Sequence, residues 1–276
     1  MSTLREKRKK ERRALRRRKT ADWTVVLILC AIAVCCGGYL IYHHWSVKQR
    51  ELEYEKLRQE ETLSAATETV IAEPETEEST EETVIYCDPV YDFGQLHEQN
   101  EDIYAWIVVP GTQVDYPLLQ SGTDNYYLDY NLDHSKGYPG CIYTNQCNRK
   151  DFSDYNTVLY GHNMKNLSMF GSLKKYKTED FYKDHQFFTI YASECAYRYQ
   201  IFAYYDVPET DEVYTVGFAP DETFQKFIDK MKQKSYDDTG VNVTKDDHIM
   251  TLSTCSTTGK RFVVHAVRIG EHALEK

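Results

Sequence analysis

Residues 23–42, WTVVLILCAIAVCCGGYLIY, run for twenty positions without a charged side chain. A helix of that length, at 1.5 Å per residue, spans the roughly 30 Å hydrocarbon core of a bilayer. A helix in a globular core is rarely apolar on every face for so long. A cleaved signal sequence is the competing reading. Against it, the run exceeds a typical apolar signal core and no small-x-small cleavage site follows. The sequence predicts one retained transmembrane helix, and the rest of the chain must fold on one side of it.

Flanking charge sets the side. Residues 1–20 hold eleven Lys or Arg and two acids, and basic segments stay cytoplasmic. The reading is a cytoplasmic arm over 1–22, a plasma-membrane span over 23–42, and everything beyond about residue 45 outside. The arm serves as a topology signal with some affinity for anionic lipid. The net charge of −10 includes this basic arm, so the exported part is more acidic still, which argues against nucleic acid as a partner.

Residues 43–85 read as a connector. The stretch 46–61, SVKQRELEYEKLRQEE, favours helix and is expected to continue the membrane helix as a short exposed stalk. Residues 62–85, rich in Thr and Glu with few large apolar side chains, are expected to form an extended spacer. The folded domain is then 86–276, long enough for one sizeable core. TVLY, FFTIYA, YRYQIFAYYDV, HIMTLSTC and RFVVHAVRI read as strands, and 106–120 as two strands around Pro110-Gly111. Helices are expected over 166–185, broken in two, and over 220–235, with Pro220 or Asp221 near its start. Many short strands with few helices predict a mainly β fold, a closed or nearly closed barrel. Twenty-three tyrosines suit extracellular β structure with wet edges.

Of eight cysteines, Cys30, Cys35 and Cys36 lie in the apolar run. Cys87, Cys141, Cys147, Cys195 and Cys255 lie outside it, an odd number that leaves one thiol over. Whether Cys141 pairs with Cys147 stays open. No Cys-x-x-Cys pair or cysteine–histidine cluster has zinc spacing, so neither metal nor cofactor is expected. Cys255 ends a strand and meets a loop of Ser, Thr and Gly, which places it at a barrel rim. A buried structural cysteine is the common fate of this residue type, whereas a nucleophile needs an accessible, supported thiolate and a partner base. His162, in NTVLYGHNM, also ends a strand. His265 lies mid-strand, where burial is the plainer reading. Arg261 opens the strand after the cysteine loop. There its planar fork of donors would steady an oxyanion; the competing reading is a surface charge.

TLSTC with a downstream arginine opening a strand, and YGHNM upstream, together resemble the sortases, and among them class B. LHEQNEDIYAWIVVPGTQVDYPLLQSGTDNYYL, GCIYTNQCN and NTVLYGHNMKNLSMFGSLKKY match the class pattern in order and spacing. The resemblance runs from Asp92 to Gly270. It implies a closed β-barrel with an N-terminal helix and an extra helix before the cysteine strand, within 207–247. It implies a membrane-anchored cysteine transpeptidase of the Gram-positive type of cell envelope, with His162, Cys255 and Arg261 catalytic. Ser253, Thr254 and Asn131 are the implied substrate contacts. The implied partners are exported proteins with a C-terminal sorting motif of the NPxTx or LPxTx type, cleaved after Thr, and an amine of peptidoglycan or of a pilin. Only five residues separate Cys255 from Arg261, fewer than the class pattern. Two alternatives stand beside this reading: a non-catalytic anchored peptide-binding module, and a hydrolytic cysteine protease.

Overall fold

The computed structural model describes residues 2–65, 89, 91–255 and 259–274. The chain divides into two compact units, Met1–Arg50 and Glu51–Lys276. Helix α1 covers Ser2–Ala65. Its stretch Trp23–Gln59 is the one helix, among the described residues, long and apolar enough to cross a membrane.

The second unit is an eight-stranded closed barrel in the order β1-β2-β3-β4-β7-β8-β6-β5. The strands are β1 Ile103–Val109, β2 Val114–Leu119, β3 Ile142–Thr144 and β4 Asn156–His162. They continue as β5 Phe187–Ala192, β6 Cys195–Pro208, β7 Ile249–Cys255 and β8 Lys260–Ala273. Closure removes every sheet edge. Two neighbouring pairs are parallel, β2 with β3 and β4 with β7. A parallel pair requires a long crossover. Between β4 and β7 that crossover carries a 3₁₀ helix Phe170–Lys177, α4 Glu179–Asp184, β5, β6 and α5 Glu222–Lys234.

All seven residues of β7 are buried, because both faces of the strand are covered. Phe224, Phe227, Ile228 and Met231 on one stripe of α5 pack with Ala203, Tyr205, Ile249 and Val263, covering one face of β6, β7 and β8. Burying each such side chain contributes roughly 1.5–3 kcal/mol. Asp221 caps α5, its carboxylate accepting from the Thr223 and Phe224 N–H groups. The 166–185 segment is broken in two, as expected.

Two expectations need correction. Residues 46–61 are not an exposed stalk along their whole length. Tyr54 and Leu57 are 4% and 3% exposed and belong to the barrel unit, because the helix carries an apolar stripe among its charges. Helix α1 also continues to Ala65, into the stretch expected to be extended. The remainder of the Thr/Glu-rich spacer, from residue 66, lies outside the described residues. Four elements were not anticipated: α2 Phe93–Gln99, the four-residue α3 Tyr126–Asp129, β3, too short to carry a pattern, and a 3₁₀ turn Glu212–Tyr214.

Candidate active site

The parallel register of β4 and β7 pairs His162 with Cys255. Residues paired across adjacent strands point to the same side of the sheet. β7 and β8 are antiparallel, with Ser253 opposite Val263. Continued two residues past that last pair, the register points Arg261 toward Cys255, and Arg261 acts electrostatically on both Cys255 and His162. Imidazole, thiol and guanidinium therefore occupy one row across three adjacent strand ends.

Backbone contacts fix the row. The Asn163 N–H donates to the Cys255 carbonyl at 3.0 Å, and the Phe262 N–H donates to Thr254 Oγ1 at 2.9 Å. The glycine before His162 is a packing requirement. A Cβ on Gly161 would lie 2.8 Å from the Phe170 ring of the 3₁₀ helix, which wedges against the end of β4.

Cys255 is 8% exposed. Burial pushes its thiol up to about 11. Arg261 is the largest opposing influence, and the Glu209 carboxylate reinforces the rise. The Gly161 backbone and the Tyr143 hydroxyl, by hydrogen bonding, favour the thiolate. Burial holds His162 below the ordinary imidazole range. Arg261 acts in the same direction, against the Leu128 carbonyl and Asp129. His162 Nε2 lies 2.8 Å from the Leu128 carbonyl oxygen. A carbonyl only accepts, so Nε2 carries the hydrogen and Nδ1 of the neutral ring keeps its lone pair. The Tyr138 ring packs on the imidazole with centroids 4.7 Å apart. At neutral pH the resting site is thus a thiol beside a neutral imidazole. Arg261 Nη2 is 2.9 Å from Oε1 of Glu209.

One row back along the same face stand tyrosines. Tyr143 on β3 pairs with Tyr160 on β4, their rings 5.3 Å apart, and Tyr214 stacks on Tyr160 at 6.0 Å. The Tyr214 hydroxyl is 3.2 Å from Ser253 Oγ. The buried thiol thus has an aromatic wall beside it.

The Sortase domain family model matches residues 107–269. This chain belongs to the sortase family. Sortase B of Staphylococcus aureus is 32% identical over 248 residues, 88% of this chain and 95% of that protein. Sortase B of Listeria monocytogenes serovar 1/2a is 39% identical over 163 residues, 59% of this chain and 66% of that protein. A solved Staphylococcus aureus sortase B–substrate complex has a TM-score of 0.68 at 33% identity, covering 80% of this chain and 97% of that one. These relatives place the chain in class B. Sortases are cysteine transpeptidases.

In this sortase the six residues singled out from sequence separate into groups. His162, Cys255 and Arg261 are brought together. Ser253 shares their face, two residues before Cys255. Thr254 points to the opposite face and spends Oγ1 on the Phe262 N–H. Asn131 is 4% exposed, and its amide is used within its own loop, donating to Ser135 and accepting from the Gly140 N–H at 3.2 Å. His265, the competing base, is fully buried beside Thr251, with Nδ1 3.0 Å from Thr251 Oγ1. Cys141 and Cys147 are not joined by a disulfide. The sequence reading missed Glu209, Tyr138, Tyr143, Tyr160 and Tyr214. Only Tyr160, two before His162 in a recognised strand, carried a periodicity signal.

Proposed function

We propose that this chain is an envelope transpeptidase that cleaves a C-terminal sorting motif of the NPxTx or LPxTx type after Thr. It passes the protein to an amine of peptidoglycan or of a pilin. In this reading residues 1–22 are cytoplasmic, 23–42 cross the plasma membrane, 43–85 connect, and the catalytic domain of 86–276 works outside, joined by the packed turns of α1 from Glu51. The observation that carries the proposal is the single row His162–Cys255–Arg261 at three adjacent strand ends.

The chemistry follows from those positions. The Cys255 sulfur, its proton passed to His162, attacks the Thr carbonyl carbon, and the carbonyl oxygen becomes anionic. Arg261 supplies charged donors to that oxygen. The C–N bond breaks as His162, protonated, delivers a proton to the leaving amine. A thioester on Cys255 remains. The acceptor amine attacks it, loses a proton to His162, and the sulfur leaves as a new amide forms. Ser253 and the tyrosine wall hold the peptide. Asn131 and Thr254 act indirectly, by holding the loop and the hairpin around the site.

The test is mass spectrometry of the enzyme mixed with pentapeptide libraries of both motif types, with and without an added amine. The expected result is an acyl adduct on Cys255 and an amide product that requires the amine. Hydrolysis alone in the presence of amine would make the enzyme a protease, and no adduct with any peptide would make the barrel a binding module.

A further inference from the structure

Helix α1 reaches the active-site row through one loop. Tyr54, nearly fully buried, places its hydroxyl 3.3 Å from the Gly140 carbonyl oxygen and 3.3 Å from Cys141 Sγ. Gly140 has little freedom to respond. Its φ is +69°, its N–H donates to Asn131 Oδ1, and a Cβ there would lie 2.4 Å from the Tyr127 carbonyl oxygen. The Cys141 N–H donates to that same Tyr127 oxygen at 2.9 Å. The next carbonyl, that of Leu128, accepts the His162 Nε2 hydrogen. Two residues before Gly140, the Tyr138 ring packs against the imidazole. Tyr54 and His162 therefore both contact the segment 128–141, Tyr54 at its end and His162 at Leu128 and Tyr138.

The helix end is itself fastened. Arg58 Nε donates to the Asp115 carbonyl at 2.8 Å, its guanidinium lies 4.9 Å over the Tyr116 ring, and Tyr54 meets that ring edge-on at 5.1 Å. A strand-borne contact would be set by the barrel, whereas this one is set by a helix outside it.

We propose that Tyr54 is a positioning residue for His162, acting through the loop of residues 130–141. The proposal rests on the reading of the chain as a transpeptidase with His162 as its acid and base. Removing the hydroxyl frees the Gly140 carbonyl, loosens the loop, and lets water reach the imidazole between Tyr138 and Leu128. The groups facing that ring are Asp129, Arg261, Cys255 and Tyr138; a change at Tyr54 leaves the three charged or ionisable ones on other elements in place and acts only through Tyr138 and the loop that carries it.

The test uses the full chain in detergent micelles, with two readouts. The first is single-turnover acylation of Cys255 across peptide concentrations. The second is a nuclear magnetic resonance titration of the His162 ring. Tyr54→Phe keeps the buried ring and should slow saturated acylation about 2- to 5-fold. Tyr54→Ala should slow it roughly 5- to 10-fold, with the half-saturating concentration within about twofold. In both, the His162 midpoint should rise toward that of a solvated imidazole. Leu57→Ala empties a buried position on the same helix and leaves the hydroxyl alone; it should lower the melting temperature with the rate within about twofold. Parent-like rates and an unmoved His162 midpoint in both Tyr54 variants would overturn the proposal. So would an equal slowing by Leu57→Ala, which would reduce the effect to general stability. If the parent itself takes no acyl group, the transpeptidase reading falls, and the His162 midpoint alone decides this one.

Discussion

The Arg261 guanidinium lies 2.9 Å from the Glu209 carboxylate, across the row from Cys255. Glu209 thus bears on the thiol twice, as a nearby anion and as a competitor for the cation that favours the thiolate. Glu209→Gln should lower the Cys255 pKa and raise the rate of alkylation by iodoacetamide at pH 7 by at least about threefold, since each unit is tenfold in thiolate. Thiolate absorbance against pH reads the shift, and an unchanged or higher midpoint would show that Glu209 serves only to hold the arginine.

Arg261→Ala should cut single-turnover acylation by about 10²–10³-fold, the usual loss for one oxyanion donor. It should also move the Cys255 midpoint further up, because the largest influence lowering it is gone. Arg261→Lys keeps charge but loses the planar fork and should recover little. Lys260→Ala, on the opposite face, should stay within about threefold. A folded Arg261→Ala with near-normal acylation would remove the arginine from the mechanism.

The resting thiol and neutral imidazole predict a particular pH profile. The form able to react has a thiolate beside an imidazolium, and with the thiol titrating above the imidazole its fraction is constant between the two midpoints. The acylation rate constant kcat/KM should be flat from an acid limb below the ordinary imidazole range to an alkaline limb near 11. An alkaline limb near 8.5 would mean that Cys255 is not desolvated in solution.

His265 should make the barrel acid-sensitive. Burial pushes its imidazole down to about 3, against roughly 6.5 unfolded. The unfolded chain then binds the extra proton between those values. Stability is full above about pH 6.5 and falls by up to about 1.4 kcal/mol per pH unit toward pH 3. His265→Gln should flatten that part of the curve in urea titrations run from pH 7 to pH 4.5, while leaving turnover closer to the parent than His162→Ala does. Identical slopes in parent and variant would show that His265 does not carry the effect.

Truncation should discriminate two boundaries. A chain starting at residue 51 keeps Tyr54, Leu57 and Arg58 on the barrel; one starting at residue 86 loses them. The second should be soluble but less stable by roughly 2–5 kcal/mol, the scale of losing large buried side chains. Equal denaturant midpoints for the two would return the first turns of this unit to the status of a stalk.

The barrel was legible because its strands announce themselves. YRYQIFAYYDV and RFVVHAVRI are long, β-branched and aromatic, and α5 follows a capping aspartate. The row of three was legible because Cys255, His162 and Arg261 each stand where a strand meets a polar loop. Glu209 and Tyr214 were not, because residues in a long crossover carry no period that says what they will face. Thr254 was misplaced by proximity: alternation turns the residue next to a nucleophile away from it. Tyr54 was hidden by composition, since a helix needs only one buried residue per turn or so to dock, and its charged neighbours outnumber it.

The parallel pairing of β4 with β7 has a consequence in time. His162 and Cys255 come together only when a crossover that includes two barrel strands and α5 has been laid down. Loop closure over such a separation is among the slowest events in folding a β protein. A partly folded chain therefore has not assembled the row: Cys255 lacks both the imidazole and the guanidinium beside it. Reactivity arrives with closure of the barrel, so a molecule that has not finished folding is chemically quiet toward the chains around it.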